Sequence, residues 1–395
     1  MCRHWRRFSI FFLASLVLCC VFHFGSLGQV AQSATPQRQF IASIPSQEAY
    51  SQGVQQGVER YQAGKFTEAI ALWQQVLPQI RDAKDRAAIH SNLALAYRQI
   101  GQLGEAIAHW EQAIQIYQHQ DDEGARIQLP KLLTEQAQAY KELGQNLRAI
   151  KISQEAVKLA KQNSDLQTQV ATLGALGNAY WAVGDYEQSL LAHQESLTIA
   201  RQLKAPDYIA ASLTNLGNLY LSRAQRYRYQ VNTARVEDDR QEIARLTQLA
   251  KQEMAAARSA FEESLRETQV IGGITHVKTL LNLNRLLEQL PPPDWAAIAR
   301  NREQALALLE TLPDSRDKAY VLINLAQSFR RQASAASTAQ GRSSTETLVL
   351  LKQALNVARN IGDGRAESFA LGSLGQIYQL ADQTSAALEL TQKAQ

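Results

Sequence analysis

The residues able to do acid–base or metal chemistry are few and scattered through this sequence. Beyond residue 34 the histidines are His90, His109, His119, His193 and His276, with no HExxH and no pair at i, i+4. No single helix face therefore offers two imidazoles to a metal. Phosphate-cradling GxxxxGK[ST] and GxGxxG loops and the GxSxG nucleophile turn are absent. Adjacent carboxylates, Asp121-Asp122-Glu123 and Asp238-Asp239, fall where loops or hairpin tips are expected, and solvation explains them better than proton transfer. Cys2, Cys19 and Cys20 are the three cysteines, all within the first 34 residues. The remainder has no thiol nucleophile, disulfide or zinc–thiolate site. No cofactor, no metal and no intrinsic enzyme activity are expected.

A second set of residues suits binding rather than reaction. Asparagine recurs at 92, 178, 215, 218, 282 and 324, and an amide that both donates and accepts can bracket an extended peptide backbone whatever its sequence. Asn92, Asn178, Asn215, Asn218, Asn282 and Asn324 are thus candidate peptide contacts. Arg98, Lys141, Trp181 and Arg330 would add a mixed basic and aromatic surface suited to acidic or aromatic peptides. The competing reading is a solvated helix face whose Asn side chains bond to neighbouring helices or water. His109 and His193 are expected at helix-packing faces in a structural role.

What would position these residues is an internal repeat. Eight segments align on a small or polar residue at Gly57, Ala94, Ala137, Gly177, Gly217, Asn284, Ala326 and Gly375. Three residues later most carry an aromatic ring, as at Tyr97, Tyr140, Tyr180, Tyr220, Phe329 and Tyr378. Seven residues after the small one come Gly64, Gly101, Gly144 and Gly184, and twelve after it come Ala69, Ala106, Ala149, Ser189 and Ala387. Small residues let two helix backbones approach, the ring fills the space above them, and Gly ends the first helix where a positive φ is needed. Each copy is a helical hairpin. The asparagines fall two before or one after the small residue of the first helix, and the basic and aromatic candidates four after it. The fold class is all-α, an α-α superhelix of about eight hairpins.

At LGNAYWAVGDYEQSLLAHQESL (176–197) the chain resembles the tetratricopeptide repeat family, with Ser189, His193 and Ser196 in place of that family's usual Ala, aromatic and Ala. The resemblance covers roughly residues 46–395. The anchors are 37, 43, 40 and 40 residues apart over the first five copies, a longer period than the family's usual one, and in this the chain is similar to the kinesin light chain type. The resemblance implies a right-handed solenoid whose concave groove, lined by the first helices, takes a protein or peptide partner. The groove itself follows from stacking, since no hairpin can bury its apolar face alone.

The ends and interruptions of the array carry further expectations. Residues 1–34 have the basic start, apolar run (8–24) and small-residue finish of a secretory signal. Export to the periplasm or outside the cell is expected, with a membrane anchor by residues 8–24 as the alternative. Residues 35–45 are a linker and 46–395 the solenoid. Removing Arg3, Arg6 and Arg7 from the 41 basic residues leaves 38 against 37 acidic ones, so no general nucleic-acid binding is expected. Between Gly217 and Ala257 the spacing of twelve becomes forty, a 28-residue excess read as a projecting helical hairpin at about 223–256 that reverses near VEDD (236–239). RYRY (226–229) could bind a partner, an acidic membrane surface or RNA, though its simplest reading is a solvated Arg face with Tyr packed across the hairpin. PPPDW (291–295) reads as a rigid bend and SAASTAQGRSS (334–344) as a flexible tip. The last copy shows no polar capping helix, so its apolar face is expected to be covered by a further C-terminal region, by a partner, or by a second copy through self-association. Exported arrays of this type resemble the N-terminal halves of proteins ending in a caspase-like CHAT domain, so a sensor or regulatory half of such a protease is the alternative function.

Overall fold

A computed structural model describes residues 51–335 and 340–394. The leader, the 35–45 linker and the 336–339 part of the expected flexible tip lie outside the described residues. Sixteen α-helices and no strand occur among those described. In chain order they are α1 (Ser51–Gln62), α2 (Phe66–Val76), α3 (Ala83–Gln99), α4 (Leu103–Gln118), α5 (Glu123–Glu142), α6 (Asn146–Gln162), α7 (Leu166–Ala182) and α8 (Tyr186–Gln202). Then follow α9 (Pro206–Val236), α10 (Arg240–Ile271), α11 (Gly273–Leu287), α12 (Trp295–Thr311), α13 (Arg316–Ala335), α14 (Gln340–Ile361), α15 (Gly364–Leu380) and α16 (Thr384–Lys393). Odd and even helices pair into eight antiparallel hairpins, each stacked on the next.

The turns form where sequence chemistry demands them. Gly64, Gly101, Gly144 and Gly184 all have φ between +76° and +82°, the left-handed region that a Cβ disfavours. In the eighth hairpin Asp382 takes the same role at φ +57°. Four of the helices that open a hairpin are started by aspartate: Asp82, Asp122, Asp165 and Asp363 each accept a backbone N–H of the first turn. The SAASTAQGRSS segment is mostly helical, since α13 runs to Ala335 and α14 starts at Gln340.

In the first, fourth and fifth hairpins a glycine of the first helix meets a large side chain of the second. A Cβ on Gly57 would run into the Trp73 indole, and one on Gly177 would lie 2.5 Å from His193 Cε1. The Trp73 indole N–H donates to the Val54 carbonyl at 3.2 Å. Gly217 faces Phe261, 2.5 Å from a built Cβ, which is sixteen residues plus the 28-residue insertion.

That insertion forms the ends of α9 and α10, reversing at Asp238 (φ +53°) with Asp239 capping the return helix at Glu242 N. Val231, Ala234 and Leu246 pack there with Tyr227 and Ile243, and Arg223 pairs with Glu253 at 3.0 Å. The RYRY motif is absorbed mostly by packing. Arg226, though exposed, stacks on Tyr186, Arg228 donates to the Gln289 carbonyl at 3.0 Å, and the Tyr229 ring is exposed.

The superhelix also closes on itself, which the repeat pattern did not announce. Arg316, at the start of α13, donates to the Arg98 carbonyl at 2.6 Å and pairs with Glu142 at 3.3 Å and Asp363 at 3.5 Å. Ile361 joins the apolar cluster of the first three hairpins, beside Ile100. A Cβ on Gly64 would lie 3.3 Å from the Asp314 carbonyl, and one on Gly101 2.8 Å from Asp363 Oδ1. Hairpins one to three thus seat their turn ends on the starts of hairpins seven and eight.

Candidate functional site

The inner layer is built from the odd-numbered helices. On α7 and α9 the small residue points at its even-numbered partner helix, so positions two before it and one after it turn away by about 200° and 100° at 3.6 residues per turn. The candidate asparagines stand at those positions. Asn92, Asn178, Asn215, Asn218 and Asn282 are 0, 3, 6, 2 and 0% exposed. Asn324 on α13 is half-buried. Five of the six asparagines expected to face a groove are therefore buried in the layer instead of being presented to an open channel. There the Asn178 side-chain oxygen and both polar atoms of Asn218 and of Asn282 have no hydrogen-bond partner among the described residues. A buried polar atom left unpaired costs about 1–3 kcal/mol.

One pocket unites three of the candidates. Arg98 on α3, Lys141 on α5 and Asn178 on α7 line it, together with Gln138 and Glu142, over the small floor of Ala137 and Ala175. Its volume of about 10 Å³ is that of one water molecule. Arg98 donates to Glu135 Oε2 at 2.5 Å, Gln138 Oε1 at 2.9 Å and Glu142 Oε1 at 2.8 Å. The basic surface expected from Arg98 is neutralised by these carboxylates. Lys141 is different, since its ammonium has no hydrogen bond or ion pair among the described residues.

The charges shape one another. Burial would raise the Glu142 carboxyl, but the Arg98 and Arg316 guanidiniums, with Lys141, outweigh it and hold it down to about 2. Glu142 is thus a fixed counter-ion. Burial pushes Glu135 up, opposed by Arg98 and reinforced by Glu142. Lys141 is lowered by burial, with Glu142 opposing and Arg98 reinforcing. No group of three or more His, Cys, Asp or Glu side chains that could hold a metal occurs among the described residues. What the pocket offers is donors and acceptors: an ammonium and an amide.

The remaining candidates lie elsewhere on the layer. Arg330 donates to Gln376 Oε1 at 2.8 Å, within the last two hairpins, and Trp181 is half-buried at the end of α7. Gln138 and Glu142 complete the pocket from the third copy, and Glu135 joins them on Arg98. Arg316 reaches Glu142, and Asp363 reaches Arg316, only through closure of the superhelix, for which no local signal exists.

The histidines hold a second surprise. His90 on α3 and His109 on α4 meet Nδ1 to Nδ1 at 2.9 Å, so one ring donates and the other accepts. Tyr97 stacks on His109 at 5.4 Å between centroids. Burial, with His109 and Arg86 adding to it, pushes His90 down to about 4. His193, beneath Gly177, is pushed down to about 3 by burial alone.

Comparison with known proteins agrees with this architecture. The tetratricopeptide repeat family model matches residues 57–119, 128–202 and 168–228. Protein KINESIN LIGHT CHAIN-RELATED 1 of Arabidopsis thaliana is 28% identical over 143 residues, which is 35% of this chain and 24% of that protein. The chain thus matches about a quarter of that relative's length. Among solved structures, a Rap protein complexed with competence and sporulation factor superposes with a TM-score of 0.55 at 12% identity, covering 96% of this chain and 97% of that one. Aspartyl phosphate phosphatase F of Bacillus subtilis gives 0.51 at 15% identity, covering 79% and 71%. A monomeric IFIT1 mutant with Gppp-AAAA gives 0.54 at 14% identity, covering 88% and 71%. At these identities the structural likeness speaks for the fold. Within residues 57–119 and 128–228, then, the chain carries tetratricopeptide repeats, similar over part of their length to a kinesin light chain-related protein.

Proposed function

We propose that this protein is an exported, non-enzymatic scaffold that binds an extended peptide or a partner segment along the inner layer of its superhelix. The observation that carries the reading is the row of buried amides on Asn178, Asn218 and Asn282, of which the Asn178 oxygen and both polar atoms of the other two have no hydrogen-bond partner among the described residues. Folding alone gains nothing from them, because an apolar side chain of similar size would pack there without the desolvation cost. A ligand backbone admitted by an opening of the layer would supply donors and acceptors to each. Lys141 beside Asn178 would meet a carbonyl or an acidic side chain.

The structural neighbour complexed with competence and sporulation factor supports a ligand-binding role for this fold. The IFIT1 neighbour carries Gppp-AAAA; the balance of 38 basic and 37 acidic residues beyond the leader favours a protein partner here. Export rests on the signal-like residues 1–34, with anchoring by 8–24 as its alternative. A pulldown from periplasmic extract with the parent chain and the Asn215→Ala/Asn218→Ala variant tests the reading. The variant is expected to lose a partner that the parent retains, and full retention refutes binding by this layer.

A further inference from the structure

A separate feature lies on the outer layer, away from the inner asparagines. Hairpins six and seven form the loosest junction of the stack, with α12 touching α13 only lightly. There the outer helices α12 and α14 stand apart over α13 and leave an open cleft of about 520 Å³. Leu306 and Leu309 form one wall, Val349 and Val357 the other, and Leu322 and Phe329 the floor. Val349 is 49% exposed, a β-branched apolar side chain offered to water. Along α14 the lining runs from Thr345 to Asn360, about 22 Å at 1.5 Å per residue. A helix of about fifteen residues has that length.

The rim gives the occupant a sign. Lys318 is spent on the Leu312 carbonyl at 2.7 Å and on Asp314 at 3.4 Å. Asp314 also accepts from Asn360 at 2.8 Å. Arg302, on the α12 side facing Glu346, is spent on Gln332, the Ser328 carbonyl and Glu288. Glu310 on one wall and Glu346 on the other are exposed, and neither has an ion pair among the described residues. Among the described residues the charge left without an ion pair at the cleft is negative, on both sides of an apolar floor.

We propose that this cleft is a docking groove for an amphipathic α-helix of a partner protein, its apolar face seated between α12 and α14 and its flanks carrying Lys or Arg opposite Glu310 and Glu346. This is recognition by helix-in-groove packing, with anchors at i, i+3, i+4 and i+7. It is independent of the inner layer, so a partner bound here leaves the asparagines free to bind another.

Fluorescence anisotropy with two labelled synthetic helices tests the proposal on the full chain. One fifteen-residue probe carries Leu on one face and Lys on the flanks, and its twin carries Glu in place of Lys. The Lys probe is expected to bind about tenfold or more tighter than its twin. Val349→Asp, at an exposed site compatible with folding, weakens the Lys probe about tenfold, and Glu310→Lys/Glu346→Lys reverses the preference between probes. Equal binding of the two probes, or binding indifferent to Val349→Asp in a variant that melts like the parent, overturns it. So does a concentration-dependent doubling of mass abolished by Val349→Asp, which assigns the cleft to a second copy. Saturation by a small apolar dye that the Lys probe cannot displace would likewise refute it, assigning the cleft to small molecules.

Discussion

Arg316 donates to the backbone carbonyl of Arg98 at 2.6 Å across 218 residues of chain. Its guanidinium, 5% exposed, also faces Glu142 and Asp363, so the last two hairpins are tied to the second and third by buried charge. Removing one member of such a set leaves the others uncompensated, and that loss exceeds the worth of the pair itself.

Arg316→Met is therefore expected to lower unfolding free energy by about 3–5 kcal/mol and to loosen the closure. Urea unfolding measures the first effect, and the radius of gyration from small-angle scattering, which should rise, measures the second. A variant as compact and stable as the parent would show that Ile361 and its neighbours close the ring without the charges.

How much of this was legible in the sequence depends on the range of the contact. The small residue and its partner sixteen positions on, as Gly57 with Trp73 and Gly177 with His193, sit within one hairpin and declare themselves by spacing. Gly217 with Phe261 does so once the insertion is counted. The turn glycines at positive φ and the Asp helix caps are equally local. The closure is not, because Arg316 finds Arg98 through the accumulated rotation of several hairpins, each a small angle that no residue encodes alone. The expected basic inner surface failed at Arg98 for the same reason: its partners Glu135 and Glu142 belong to the next copy. His90 and His109 escaped a search along single helices because they meet across one hairpin.

Gly217→Ala places a methyl 2.5 Å from Phe261 Cε1, and overpacking of this kind costs about 1–3 kcal/mol. Gly104 sits in α4 with nothing within 4 Å of a built Cβ. Gly104→Ala should instead stabilise by roughly 0.5–1 kcal/mol through helix propensity. Thermal melts of the two variants, opposite in sign, check the distinction between a contact glycine and a tolerated one.

His193 makes the fold sensitive to acid. Its folded pKa is pushed down to about 3 by burial, from 6.5, so the unfolded chain takes up the proton first as pH falls. The contribution is fully present above pH 6.5 and is lost progressively down to about pH 3. His193→Phe, which copies Phe261 at the equivalent place two helices on, should remove that component. Urea midpoints measured between pH 7 and 4 should fall less in the variant than in the parent. An equal fall would mean that His193 does not stay neutral in the folded chain.

Asn218 separates stability from binding. Both polar atoms of its side chain are buried without a partner, so Asn218→Leu, of similar volume, relieves a desolvation cost of about 1–3 kcal/mol. The variant should unfold at higher urea than the parent, with an unchanged slope against denaturant. If the inner layer binds its partner through these amides, the more stable variant is also the one that loses it, because the ligand's donors and acceptors would face a hydrocarbon. A stabilised variant that keeps its partner would show that Asn218 is merely a poor packing choice. One that is destabilised would show that the amide is already satisfied, by ordered water between α9 and its neighbours. Only gain of stability together with loss of partner assigns the unpaired amides to recognition.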